Sequence, residues 1–448
     1  MTRQFPEGFT WGAATASYQI EGAINEDGRL PSIWDTFSHT PGTIDNDDNG
    51  DIACDHYHRW EDDLDLIASL GLKAYRFSVA WPRVMPDGRT VNQLGVDFYK
   101  RLVDGMHARG ITPFMTIYHW DLPEALEAAG GWRNRDVADR FADFALVLGE
   151  ELGDQVSTIT TLNEPWCSAY LGHASGEHAP GLRDNGLAYP VAHHLNLAHG
   201  RAISALRSVV PAETHLSVTL NLQQVEPASA SAEDIRAARH IDAISNRIFL
   251  DPVFRGTYPD DLIEGTSHLT DWSFVHDGDL AEINQPIDFL GVNYYNPARI
   301  SATAGRPWPG TDRAFGAEIP GPATIMDWPI VPSGLSDLLI RLQKEYGVPM
   351  MVTENGCAAP DPVGDDGVVH DADRIDYLDK HLGAVADAID AGADVQGYFL
   401  WTLLDNFEWA WGYDKRFGMV HVDYDSQRRT PKDSALWYRE VIERNGLE

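Results

Sequence analysis

Short apolar runs alternate with longer amphipathic stretches along the chain. The runs are Phe9–Ala14, Leu72–Val79, Thr112–Tyr118, Ser157–Leu162, His215–Leu220, Phe289–Tyr294, Met350–Val352 and Gly397–Trp401. Several are apolar at consecutive positions, as in Pro349-Met350-Met351-Val352, rather than at alternate ones. A strand of that kind is buried on both faces, as in a parallel sheet covered by helices. Helices are expected between the runs. Trp60–Leu70 carries Leu64, Ile67 and Leu70 at helical spacing and is followed by Gly71. Asn92–Arg109 ends at Gly110, Asp136–Leu152 at Gly153 and Asp373–Ala391 at Gly392. A glycine just past the last turn adopts the left-handed conformation at little cost, so each of these four is expected to be a helix stop. Val191–Arg207, Ala232–Phe249, Gly334–Glu345 and Ser434–Glu443 complete the set.

Eight strand–helix pairs predict an α/β fold, a single (β/α)8 TIM barrel over residues 1–448 with extended βα loops. The runner-up, an open doubly wound sheet, favours a glycine-rich phosphate turn after the first strand. The segment Trp11–Ser17 has neither G-x-G-x-x-G nor a P-loop pattern. No short repeat, low-complexity tract or dividing linker is evident. The irregular stretches 163–190, 251–285 and 301–333 are expected to follow strands and so to form active-site loops.

Length and charge narrow the classes. At about 150 residues per domain, 448 residues allow three domains, but one barrel with insertions exceeds about 400. The formal charge is −34, from 34 Lys+Arg against 68 Asp+Glu. Such a field repels nucleic acid and anionic membrane, so neither is an expected partner. The chain is 43% hydrophobic and 10% aromatic, enough for a large core rather than an acidic disordered segment. Three cysteines without a C-x-x-C pair support neither a disulfide framework nor a thiolate zinc site. No signal peptide or membrane span is read, and a soluble cytoplasmic protein is expected.

In a barrel the chemistry sits at the C-terminal ends of the strands. Glu164 ends the fourth run in Thr160–Pro165, and Glu354 ends the seventh in Val352–Gly356. Strands four and seven lie across the barrel mouth, so both carboxylates can face one centre. Two carboxylates flanking a bond are the minimum equipment of a glycosidase. Pro165 helps end the strand where Glu164 emerges, and Gly356 permits a sharp turn after Glu354. Taken singly, either acid reads as a surface carboxylate among 68; the paired strand-end placement is what favours chemistry. Aromatic residues crowd the same ends at Tyr118-His119-Trp120, Tyr294-Tyr295, Trp401 and Phe407–Trp411. Sugar rings stack their CH faces on tryptophan while their hydroxyls seek charged or amide partners.

The motifs resemble those of glycoside hydrolase family 1, the β-glucosidase family. They are FPEGFTWGAATASYQIEG at Phe5–Gly22, CDHYH at Cys54–His58, RFSVAWPR at Arg76–Arg83, TTLNEP at Thr160–Pro165, GVNYY at Gly291–Tyr295, VTENG at Val352–Gly356 and WTLLDNFEW at Trp401–Trp409. They occur in family order over nearly the whole chain. The resemblance implies the same barrel and a cytoplasmic, exo-acting, retaining β-glucosidase, with a place in carbohydrate metabolism and cellulose breakdown. It implies Glu354 as nucleophile and Glu164 as general acid/base. Gln19, His119, Asn163 and Glu408 are implied as hydrogen-bond partners of the glycone, helped by Trp409, with Trp401 as stacking floor. Tyr295 and Arg76 are implied to contact the nucleophile and Asn293 to lie beside the acid/base. Trp328 is implied as the wall of the leaving-group site, with Trp166, Cys167 and Leu171 at its entrance. No metal or cofactor is needed. The implied substrates are β-glucosides and cello-oligosaccharides, with β-galactoside and β-fucoside side activities because Glu408 can bond a 4-hydroxyl of either configuration.

Other features have structural readings. His56, His58, His193 and His194 lack cysteine neighbours or an H-E-x-x-H pattern and read as structural. Cys167 and Cys357, close to the two acids, read as buried thiols. Asp45–Asp51 lacks the bidentate glutamate of a calcium loop and reads as a solvated loop. Two functional rivals stand beside the β-glucosidase. A 6-phospho-β-glycosidase needs cationic donors for a phosphate, where Glu408 is instead an acid. A catalytically inactive sugar-binding barrel predicts a lost acid. Oligomeric state is not readable.

Overall fold

The computed structural model describes residues 3–448. Eight parallel strands close into a barrel, β1 (Thr10–Ala14), β2 (Ala74–Ser78), β3 (Thr112–Tyr118), β4 (Thr158–Asn163), β5 (His215–Asn221), β6 (Phe289–Asn293), β7 (Met350–Asn355) and β8 (Val395–Trp401). Neighbours in space are neighbours in sequence, and β8 pairs with β1 to close the ring. Every residue of β4 and β7 is buried, which is why their sequences are not alternating. The segment predicted as Met350–Val352 runs on to Asn355, so Glu354 lies within the strand.

A helix follows each strand: α1 (His56–Ser69), α2 (Gln93–Ala108), α3 (Asp136–Leu152), α4 (Ala188–Arg207), α5 (Ala232–Asp242), α6 (Pro332–Tyr346), α7 (Ala372–Asp390) and α8 (Asp433–Arg444). The buried positions of α3, including Val137, Phe141, Phe144, Leu148 and Leu152, recur every three or four residues and face the barrel. Phe144 stacks on Trp81 with ring centroids 4.9 Å apart. Arg3–Gln4 pairs with Gly446–Leu447, tying the chain ends together.

Three expectations need correction. Gly71, Gly110 and Gly392 take positive φ as helix stops, but Gly153 has φ −62° and stays right-handed. Its glycine is required by packing: a Cβ there would sit 2.3 Å from the Gly149 carbonyl oxygen and 2.7 Å from Val210. The stretch 232–249 is helical throughout, but it is not a regular α-helix and it runs on to Arg255. α5 stops at Asp242, a wider turn spans Ala243–Arg247, and a second helix, Ile248–Arg255, contains Pro252. Proline cannot donate to the Ile248 carbonyl, which accepts from the Asn196 side chain at 2.9 Å instead. The stretch 251–285 does not follow a barrel strand. It joins the α5 segment to β6 and packs on α4 through His193–Asp279 at 2.8 Å. His56 likewise bonds Asp63 at 2.8 Å.

The loops after β5, β6 and β8 carry structure of their own. Val225–Pro227, Ala298–Ser301, Phe315–Gly316 and Arg306–Pro307 form a four-stranded sheet outside the barrel. Asp48 of the acidic Asp45–Asp51 loop accepts from the Tyr413 N–H at 3.1 Å, so this loop braces the segment that carries Glu408.

Candidate active site

Glu164 and Glu354 leave the mouth of the barrel at the ends of β4 and β7, with 6% and 3% of their surface exposed. Glu164 has φ +46°, a left-handed conformation that costs a non-glycine residue roughly 1–3 kcal/mol. Its N–H donates to the Thr219 carbonyl on β5 at 3.0 Å, and Pro165 follows. The chain then enters a π-helical segment, Cys167–Ser175, whose first residue folds back beneath the acid. The Cys167 thiol donates to Glu164 Oε2 at 3.3 Å, a contact the buried-thiol reading missed. Gly356 is needed for close approach rather than for a turn: a Cβ would lie 1.8 Å from the Trp401 carbonyl.

Short hydrogen bonds connect the two acids. Arg76, from β2, donates Nη1–H to Glu354 Oε1 at 2.6 Å and Nη2–H to Asn163 Oδ1 at 2.7 Å. The Tyr295 hydroxyl donates to Glu354 Oε2 at 2.9 Å. Asn293 Nδ2 donates to Glu164 Oε1 at 2.7 Å and to Asn163 Oδ1 at 3.1 Å, while its own Oδ1 accepts from Thr353 at 2.8 Å. That last bond fixes which end of the Asn293 amide faces Glu164.

The environments of the two acids differ in balance. Burial pushes Glu164 up to about 8, and the neighbouring Glu354 charge adds to the push. Burial also raises Glu354, but there the Arg76 charge and the bonds from Arg76 and Tyr295 oppose it. Glu354 is therefore the group that ionises first, and Glu164 the one that keeps its proton at neutral pH.

The other predicted residues gather beside this pair. Asn163 Oδ1 accepts twice, so its Nδ2 donates to His119 Nε2 at 3.1 Å. His119 is buried, and burial with the Arg76 charge beside it keeps the ring neutral. Its proton is then on Nδ1, which has no partner among the described residues. The His119 ring stacks between Trp401 and Trp409, at centroid distances of 5.7 and 5.9 Å. Gln19 Nε2 donates to the Phe407 carbonyl at 2.8 Å and to Asn406 at 3.1 Å, and lies 3.4 Å from Glu408. Gln19 Oε1 is unpartnered among the described residues. Burial, then the Glu354 and Glu164 charges, push Glu408 up to about 8. A donor, an acceptor and a carboxyl thus converge where apolar rings supply a floor, the lining a sugar needs. Trp328 is half-buried, 5.2 Å from the Tyr295 ring on the other side of Glu354. Lys415, the nearest cation in the Glu408 loop by sequence, donates to the Ile325 carbonyl at 2.8 Å.

Sequence reasoning did not single out Trp34 or His178. Their rings lie 4.5 and 6.4 Å from that of Trp409 and complete the aromatic wall behind it. Both come from segments without a strand-end signature, so nothing in the local pattern marked them.

A model of glycosyl hydrolase family 1 matches residues 1–447. The chain belongs to that family. It is 53% identical over 462 residues to a bifunctional β-D-glucosidase/β-D-fucosidase of Bifidobacterium breve, covering 99% of each chain. It is 49% identical over 449 residues to β-glucosidase A of Thermotoga maritima, covering 100% of this chain and 99% of the relative. The structure of a family 1 β-glucosidase from T. maritima in complex with isofagomine lactam superposes with a TM-score of 0.95 at 48% identity over the full length of both chains. Family membership makes the chain a glycoside hydrolase.

Proposed function

We propose that the chain is a retaining exo-β-glucosidase, one catalytic unit over 1–448, that removes terminal non-reducing β-D-glucosyl residues from oligosaccharides and from aryl and alkyl glucosides. The observation that carries this reading is the pair of strand-end carboxyls held in unequal environments, Glu354 on Arg76 and Tyr295, Glu164 on Asn293 and Cys167. In this reading ionised Glu354 attacks the anomeric carbon while Glu164 delivers its proton to the leaving-group oxygen. The covalent glycosyl-enzyme removes the charge from Glu354. Glu164 then falls in pKa and accepts a proton from the attacking water.

Gln19 Oε1, the His119 Nδ1 proton and Glu408 bind the glycone hydroxyls, Asn163 carries the bond between Arg76 and His119, and Trp401 and Trp409 provide the stacking surface. Trp328 walls the leaving-group side. Glu408 serves an equatorial or an axial 4-hydroxyl, which supports β-galactoside and β-fucoside side activities; the B. breve relative is named for the second of these. Among the described residues no helix is long and apolar enough to cross a membrane. The three cysteines are buried and unpaired, which supports a cytoplasmic setting. A role in cellulose breakdown rests on the cello-oligosaccharide reading.

The test is kcat/KM on 4-nitrophenyl β-D-glucoside beside its 6-phosphate. The Lys415 ammonium is engaged elsewhere and Glu408 is an acid, so the plain glucoside is preferred. Preference for the phosphate refutes the glycone assignment, and turnover of neither refutes the enzyme reading.

A further inference from the structure

Asn355 follows Glu354 at the end of β7, and its side chain is wholly buried. The strand is irregular where these two residues sit. On one side Val352 pairs with Tyr398 and Asn355 with Leu400; on the other Val352 pairs with Val292 and Glu354 with Asn293. β7 therefore runs one residue longer than either neighbour over this stretch. A register shift of this kind re-aims side chains and interrupts the ladder of backbone hydrogen bonds.

The Asn355 side chain bridges the interruption. Tyr294, just past β6, donates its N–H to the Glu354 carbonyl at 3.0 Å. Its own carbonyl accepts from Asn355 Nδ2 at 2.6 Å. The same Nδ2 donates to the Tyr377 hydroxyl on α7 at 3.1 Å, and the Tyr398 hydroxyl on β8 donates to Asn355 Oδ1 at 2.8 Å. A carbonyl only accepts, so the Tyr294 bond fixes the orientation of the amide, and both of its ends are engaged. The Tyr377 hydroxyl in turn reaches the Tyr295 carbonyl at 3.5 Å. Tyr295 is thus held through the backbone on either side by groups bonded to Asn355, and its hydroxyl lies 2.9 Å from Glu354 Oε2. A buried amide that only ties strands together has no such target. This one grips the peptide that sets where the Tyr295 hydroxyl stands relative to the carboxylate.

We propose that Asn355 is a positioning residue for the nucleophile, holding the Tyr294–Tyr295 peptide against the end of β7 and so keeping the Tyr295 hydroxyl on Glu354. The proposal rests on the β-glucosidase reading, in which ionised Glu354 attacks. Glu354 also faces Arg76 from β2, Glu164 from the end of β4 and Glu408 from the loop after β8. Among the described residues none of these three bonds Asn355, so loosening the amide acts on the carboxylate through Tyr295. A hydroxyl donor favours the anion, and its loss raises the pKa of Glu354.

The experiment measures kcat, KM and the pH profile of kcat/KM on 4-nitrophenyl β-D-glucoside for Asn355→Ala and Tyr398→Phe, each alone and combined with Tyr295→Phe. Tyr398→Phe removes only the hydroxyl that anchors Asn355 Oδ1, and it carries the test if Asn355→Ala does not fold. Asn355→Ala should lower kcat by up to about 10²-fold, the scale of a small misplacement at the reacting atoms, with a smaller change in KM. The acidic limb of kcat/KM, which follows ionisation of Glu354 in the free enzyme, should move to higher pH in both variants. In the Tyr295→Phe background each substitution should cost much less than in the wild type, because the hydroxyl it serves is gone. An acidic limb that stays in place in the folded variants, or losses as large in the Tyr295→Phe background as in the wild type, overturns the role. Absence of aryl-glucoside turnover in the wild type overturns the β-glucosidase reading itself.

Discussion

Two buried ionic clusters sit within the same barrel and are built on opposite principles. At the base of the loops after β7 and β8, charges alternate along Asp371, Arg374, Asp361, Lys432, Asp405 and Arg416. Lys432 is fully buried between Asp361 and Asp405, at 2.7 Å from the latter, and the Gly418 N–H gives Asp405 a further bond at 3.0 Å. Three cations meet three carboxylates, and Asp405 is held below its usual range: burial raises it, but Lys432 and Arg416 more than cancel that effect. At the barrel mouth, three buried carboxyls, Glu164, Glu354 and Glu408, share Arg76 alone among the described residues as a directly bonded cation. Glu164 and Glu408 are both pushed up to about 8. The balanced cluster holds two loops in place. The unbalanced one keeps protons on two acids and polar atoms free on Gln19 and His119, which is the state a substrate needs.

The largest effect expected from disturbing the unbalanced cluster is at Glu354. Glu354→Ala should lower kcat more than about 10⁴-fold, and azide should restore turnover with α-glycosyl azide as product. A β-azide, or a variant that stays active, removes Glu354 from the nucleophile role. Glu164→Ala should cost roughly 10²–10⁴-fold on alkyl glucosides and far less on activated aryl glucosides. Equal losses on both substrates count against an acid.

The balanced cluster should respond in stability instead. Lys432→Met leaves Asp361 and Asp405 buried without their shared cation, a loss of about 3–5 kcal/mol by urea denaturation. A loss under about 1 kcal/mol would mean the network is not structural. The smallest effect separates the two clusters by sign. The folded pKa of Glu408 is raised, so its contribution to stability is complete below the unfolded value near 4.5 and is lost as pH rises through about 8. Glu408→Gln should therefore gain roughly 3 kcal/mol relative to the wild type between pH 5 and pH 8, while weakening activity. Thermal melts at the two pH values read this directly, and a constant difference contradicts it.

The barrel was legible because β7 and its neighbours are apolar at consecutive positions, a pattern that few other settings favour. Glu164 and Glu354 were legible because strand ends can be found from those runs. What escaped depends on contacts between distant segments. The need for glycine at position 153 comes from Val210, and at position 356 from the Trp401 carbonyl. The place of Pro252 inside the helix Ile248–Arg255 depends on Asn196 satisfying the Ile248 carbonyl that the proline cannot. The Cys167–Glu164 contact depends on a π-helical turn that periodicity does not encode. Apolar pattern reports burial, and it does not report which polar atoms meet.

The claim that Glu354 and Glu164 divide the roles of nucleophile and acid/base is tested most directly by the anomer first released from an aryl β-D-glucoside. Proton NMR during the first minutes of turnover should show β-glucose appearing first, with the α anomer arising only by later mutarotation. Initial release of α-glucose would mean a single displacement by water, and would contradict a covalent intermediate on Glu354.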